Sequence, residues 1–405
     1  MPLNIKFWLK LSLLNLCIVA TLGVLMRYKI GFEFPYLDQK HLQHSHSHFA
    51  FAGWLSHTLM VLMVYYLQTK IAVFSGEKYK NLIIANLICA YGMLVFFIIQ
   101  GYGMISIIFS TASIVVSYVF AYRFNKDLKS LDSDLLAKNW FKAALFFNVI
   151  SSLGTFYLAY MMASKNFVQD LYLSSVYYYL HFQYNGWFFF ACMGLIFGFL
   201  NLRKPEHPFF ESSFYLFAIT CVPAYLLSIL WLDLPVILYI ITVLSALIQV
   251  YAWFKFVVIL IKIRKNILQN FAPIFRYLLV FISFAFSVKL LLQLGSTIPV
   301  VSQLAFGFRP IVIAYLHLVL LAVISLFVLF FIYANQLFPI TKKLKNGLIL
   351  LTIGVVLNEI ILAVQGISSF SYTIIPYTNE SLFVVAIVLF VGIVLTTFYS
   401  KKSEK

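Results

Sequence analysis

The chain has 405 residues, of which 63% are hydrophobic and 19% aromatic, while only 10% are charged. A soluble globular protein of that length needs more polar surface to cover its core, so this composition excludes one. The formal charge of +16 sits in short connections between apolar runs, where membrane topology accounts for it before any nucleic acid does.

Apolar runs of about 20 residues recur along the whole sequence, the signature of membrane spans. They predict an all-α, polytopic membrane bundle of about twelve transmembrane helices, with 1–405 forming a single transmembrane domain. The spans fall at roughly 7–26, 44–67, 80–100, 102–123, 139–162, 171–200, 212–232, 236–262, 275–295, 309–334, 346–366 and 380–400. Lys6 and Lys10 give the first run the look of a signal peptide. No small-residue cleavage site follows, and Arg27 and Lys29 close the run, so it reads as helix 1.

The connections alternate in charge. One side carries Lys6/Lys10, Lys70/Lys78/Lys80, Arg123/Lys126/Lys129/Lys138, Arg203/Lys204, Lys262/Arg264/Lys265, Lys342/Lys343/Lys345 and the tail Lys401/Lys402/Lys405. The other has mainly Asp38, Asp170, Asp233 and Glu380, with Arg27, Lys29, Lys40, Lys165 and Arg309 as exceptions. By the positive-inside rule both termini are cytoplasmic, which an even number of spans requires, and the setting is a bacterial-type inner membrane. Cys17, Cys89, Cys192 and Cys221 lie inside apolar runs with no CxxC spacing and read as small buried hydrophobes.

Polar residues inside these runs are the informative ones, because each needs a partner in lipid. The second run opens on His44-Ser45-His46-Ser47-His48 and reaches His57. At 100° per residue His44 and His48 share one helix face, and His46 and His57 the other. His181 in the sixth run and His317 in the tenth fall in the same outer layer as His44, His46 and His48, within about 15 Å of the outer face. Asn185 lies one turn below His181 on the same face, so a buried imidazole bonded to Asn or Tyr is the plain reading there. His317 has no polar neighbour in sequence, and its partner is expected from another helix or a metal. Lys289 and Glu359, beside Asn358, reach a similar depth from the opposite direction. They read as a functional pathway, as an intramembrane polar pair, or, for Lys289, as a side chain snorkelling to the surface. Arg309 sits two turns above His317, about 12 Å along the axis. That spacing suits a guanidinium holding a haem propionate above a ligating imidazole, or an interfacial arginine beside Pro310.

Twelve spans with histidines on helices 2, 6 and 10 resemble the catalytic subunit of the haem-copper oxidase and nitric oxide reductase superfamily, that is, cytochrome oxidase subunit I and its relatives. On helix 6 the reductases carry His-x-x-x-Glu-Gly, and this chain has His181-Phe-Gln-Tyr-Asn185-Gly186. On helix 10 the family has His-x-His, and this chain reads Tyr315-Leu316-His317. Helix 7, which brings a His-His pair to copper in the family, has no histidine here. The resemblance therefore implies a divergent relative with an incomplete ligand set, similar also to the NnrS-type membrane haem-copper proteins. It implies haem iron between His48 and His317, with His44 as the alternate and Arg309 on a propionate. A second metal, copper among the choices, falls to His181, His46 or His57. Such a protein acts in electron transfer or in nitric oxide or dioxygen handling, takes electrons from a membrane or periplasmic donor, and as an enzyme is an oxidoreductase. Two other classes stay open on the residues alone: a transporter or channel using a His/Lys/Glu pathway, and a subunit whose polar layer only joins helices.

Overall fold

A computed structural model describes residues 2–132, 135–201, 208–268, 271–370 and 373–398, excepting the side chains of 264–268 and 370. Arg203, Lys204, Lys401, Lys402 and Lys405, used in the charge alternation, lie outside the described residues, as do the side chains of Arg264 and Lys265. Helices dominate, and no strand occurs among the described residues. In chain order they are α1 (Ile5–Gly31), α2 (Gln39–Lys70), α3 (Gly76–Gln100), α4 (Met104–Ser130), α5 (Ala137–Ser164), α6 (169–199), α7 (Pro208–Cys221 with Pro223–Ile229), α8 (Val236–Leu268), α9 (Pro273–Gly295), α10 (Pro299–Gly307), α11 (Arg309–Ala334), α12 (Lys342–Phe370) and α13 (Thr378–Phe398).

Ten of these helices are long and apolar enough to cross a membrane, and the bent α7 pair brings the number to as many as eleven. The chain is thus an all-helical, multi-pass membrane protein. α6 is not among the ten; it carries Gln169, Asp170, His181, Gln183 and Asn185. Two features depart from the sequence reading. The seventh run, expected as one unbroken helix, bends by 46° between Cys221 and Pro223, because proline lacks the N–H that would continue the ladder. α10, nine residues long and opened by Pro299, escaped a search tuned to membrane-length runs.

Contacts divide the chain into two compact units, Met1–Phe124 with Val328–Lys405, and Asn125–Phe327. In the first, α12 and α13 form the most extensive pair, α1 lies on α13 and α2, and α2 lies on α3. A β-carbon at Gly392 would stand 2.7 Å from the Leu351 nitrogen, so glycine is what lets α12 and α13 come so close. Lipid supplies no hydrophobic drive between helices, and such close approach is how they associate. In the second unit α6 lies on α5, α8 on α7 and α9, and α9 on the middle of α11. Its apolar centre is aromatic: fully buried Trp140 stacks on Phe197 at 5.5 Å and meets Phe214 edge-on at 5.3 Å.

Candidate functional site

Three π-helical stretches occur among the described residues, Ala50–Ser56 in α2, Phe182–Phe188 in α6 and Leu318–Ser325 in α11. Each starts within two residues of a histidine: His48, His181 and His317 respectively. The first also ends against His57. π turns hold under about 1% of residues in ordinary proteins and concentrate at functional positions, where they re-aim side chains. Nothing in the local composition announces them.

In the first unit the π stretch of α2 is held by amides from both neighbours. Asn15 of α1 donates to the Gly53 carbonyl at 2.6 Å, Asn86 of α3 donates to the Ala52 carbonyl at 3.1 Å, and the Tyr91 hydroxyl steadies Asn15 at 2.7 Å. A widened turn leaves carbonyls that its own ladder serves poorly, and in lipid these must find donors. The histidines around it separate as helical phase predicts. His44 and His48 face the end of α3 and the loop after it. His48 is stacked on Phe97 at 4.3 Å with Nε2 3.1 Å from the Tyr102 hydroxyl, and His44 lies 4.6 Å from the Tyr102 ring. His46 and His57 turn towards α1. His46 Nδ1 is 3.1 Å from the Val19 carbonyl, while His57 lies edge-on to Trp8 at 6.2 Å.

His57 is fully buried; neither ring nitrogen makes a hydrogen bond of good geometry, and its polar contact is with the Trp8 main chain. Glu359, on α12 of the same unit, accepts from the neighbouring Asn358 amide at 3.1 Å. At the head of α2, Asp38 accepts from the His41 N–H at 2.9 Å. This bond keeps its carboxyl below the usual carboxylate range.

In the second unit His181 is locked in a closed ring of bonds. Its Nε2–H donates to the Cys221 carbonyl at 2.8 Å, the Asn185 amide approaches its Nδ1 at 3.1 Å, and the Cys221 thiol donates to the Asn185 carbonyl at 3.7 Å. Pro223 makes this possible. After it the chain tightens to a 3₁₀ turn in which the Tyr225 N–H goes to the Val222 carbonyl, leaving the Cys221 carbonyl for His181. Gln183 anchors the same π stretch to α5 through Asn148 at 3.0 Å and Ser151 at 2.8 Å. His181 and Asn185 were legible in the sequence as one turn apart on one face; Cys221, Asn15 and Asn86 were missed. The signal was present as asparagines inside the apolar runs of α1 and α3 and a proline inside α7.

His317 Nδ1 lies 2.9 Å from the Ile313 carbonyl, one turn back on its own helix. Tyr315, two residues earlier, meets the Tyr184 ring edge-on at 6.1 Å, and the two hydroxyls lie within hydrogen-bonding reach of each other. Arg309 opens the helix.

Lys289 does not snorkel. It is 3% exposed, its ammonium lies 5.2 Å from the centroid of the Phe286 ring, and it stands within electrostatic reach of His181 and Cys221. A cation–π contact returns about 2 kcal/mol at best, less than the several kcal/mol that desolvating an ion costs.

The donor sets decide what these residues fit. An imidazole whose Nδ1–H is held by a main-chain carbonyl presents Nε2 as its basic nitrogen, the tautomer an iron ligand needs, and both His46 and His317 have that arrangement. His57 is a buried imidazole without a well-aligned hydrogen bond, and it would have a ring nitrogen to offer a metal. These features fit a haem, which asks the protein for one or two imidazoles. A metal held by side chains alone fits less well. Among the described residues no three His, Cys, Asp or Glu side chains converge, and a metal at His181 would displace one of its two bonds. No protein-family model matches the chain, and no curated protein matches its sequence.

Proposed function

We propose that this chain is a twelve-span membrane haem protein of the haem-copper oxidase type, with both ends cytoplasmic, acting in electron transfer or in the handling of nitric oxide or dioxygen. The observation that supports it is the coincidence of π-helical turns with histidines on α2, α6 and α11. These are three of the four helices on which the superfamily, by the resemblance above, carries metal ligands; the fourth, helix 7, has no histidine here. Twelve crossings follow if α6 and the bent α7 join the ten long apolar helices.

Bound haem supplies a one-electron couple; the chain's residues supply everything else. The candidate imidazoles are His44, His46, His48 and His57 in the first unit and His317 in the second. Carbonyl bonds from Val19 and Ile313 orient His46 and His317, and Arg309 offers a guanidinium for a propionate. His181 serves as the clasp between α6 and α7. Two axial imidazoles leave no open position for gas, so bis-histidine ligation favours electron transfer. Copper stays outside the proposal, since it would need a converging donor set.

The test is the visible spectrum of the full-length protein purified from haem-replete cells. A Soret band that shifts on reduction is expected, and it should weaken in His48→Ala and in His317→Ala. Colourless protein would overturn the reading. A transporter is the second reading, favoured by the buried ammonium of Lys289. It predicts solute uptake by proteoliposomes that Lys289→Gln abolishes while the protein stays colourless.

A further inference from the structure

Among the described residues, Lys289 is a buried amine whose surroundings neither a haem nor the His181 clasp explains. Its unit places every described acid, Asp127, Asp132, Asp170, Glu211 and Asp233, at a helix end or connection, and none of them is buried. Lys289 forms no ion pair among the described residues. Cys221 is not its counter-charge, because the thiol keeps its proton to donate to the Asn185 carbonyl. His181 is a neutral tautomer, with one nitrogen donating to Cys221 and the other facing the Asn185 amide.

The polar neighbour of Lys289 on its own helix is short of a partner as well. Gln293, one turn on along α9, has a buried and unbonded amide oxygen, while Tyr315 is paired with Tyr184. Tyr184 in turn meets the His181 ring at 6.5 Å. On α9 itself the amine is joined by the Gln293 amide, which can turn either way, and by no anion. Shielded from water and lipid, such an amine keeps its proton only when an anion accompanies it.

We propose that Lys289 anchors an intramembrane binding site for a small monovalent anion, of the chloride or nitrate class, inside the unit formed by Asn125–Phe327. The site is independent of the haem reading, since it uses none of the candidate iron ligands, and it applies equally to colourless protein.

The test is thermal unfolding of the full-length protein in detergent, followed by tryptophan fluorescence. Sodium chloride and sodium nitrate are titrated in turn against sodium gluconate at constant ionic strength. A saturable rise of several degrees in the unfolding midpoint is expected for the wild type with at least one of the two salts. Lys289→Arg should keep the response, and Lys289→Gln should lose it. If Lys289→Gln does not fold, Lys289→Met, which removes the charge at similar volume, takes its place. No saturable rise in the wild type, or the same rise in a folded charge-removing variant, would overturn the proposal. The Soret band of pigmented material is recorded alongside; a rise that tracks a spectral change and persists in Lys289→Gln assigns the anion to iron and counts against the site.

Discussion

The π-helical stretches of α2 and α6 are built alike and finished in opposite ways. Each is pinned to neighbouring helices by amide side chains: Asn15 and Asn86 reach in to carbonyls of α2, and Gln183 of α6 reaches out to Asn148. At α6 the adjoining histidine is fully bonded, with both ring nitrogens engaged across to α7 and back to Asn185. At α2 the histidine that closes the stretch, His57, is as deeply buried and has only a poorly aligned contact with the Trp8 main chain. A buried polar group left unpaired costs about 1–3 kcal/mol, so the first arrangement holds helices together more firmly than the second.

The largest expected effect breaks the bonded side of this contrast. His181→Ala strands the Cys221 carbonyl and the Asn185 amide and opens a cavity, which should lower stability by about 3 kcal/mol or more, measured as the unfolding midpoint in detergent. Full stability in that variant would remove the clasp. Gly186→Ala comes next: its β-carbon would lie 2.5 Å from Phe147 Cβ, and overpacking of that kind costs about 1–3 kcal/mol. Asn86→Ala leaves the Ala52 carbonyl of the α2 stretch without its side-chain donor and should cost about 1–2 kcal/mol, with faster hydrogen exchange confined to 50–57.

His57→Leu is the sharpest contrast with His181→Ala. In haem-free protein it loses only the poorly aligned contact with the Trp8 main chain, so stability should stay within about 0.5 kcal/mol of wild type or rise. A loss as large as that of His181→Ala would show that His57 has a structural partner.

The smallest effect lies outside the membrane, at Asp38. Its carboxyl is held below the ordinary range by the His41 N–H. The stabilisation is therefore present above the unfolded value of about 4 and is lost as pH falls through the lower folded value. The difference between wild type and Asp38→Ala in unfolding midpoint should be seen at neutral pH and should fade in acid.

Much of the architecture was legible in the sequence because lipid makes the rule strict: a span needs about 20 apolar residues, and every predicted run coincides with a helix. Where the rule weakens, so did the reading. Pro223 interrupts a run without interrupting its hydrophobicity, so the break in α7 was invisible to composition. α10 is too short to register as a span. Within the site, i and i+4 spacing correctly paired His44 with His48 and His181 with Asn185, since that contact is local to one helix. The bonds from Asn15 and Asn86 to α2, and from His181 to Cys221, join residues far apart in sequence. The π turns depend on those same bonds, so no local pattern could reveal them. The bond from His317 to the Ile313 carbonyl is likewise absent from any side-chain pattern, because its acceptor is a main-chain group.

The haem-to-protein ratio of the purified full-length chain tests the central claim most directly, compared across wild type, His57→Leu, His48→Ala, His317→Ala and His181→Asn. The account predicts stoichiometric haem in the wild type and a marked fall when His48 or His317 is replaced. It also predicts a fall with His57→Leu if that imidazole is a ligand, and retention in any folded His181→Asn protein. Wild-type protein without haem, or a ratio unchanged by every replacement on α2 and α11, would contradict it.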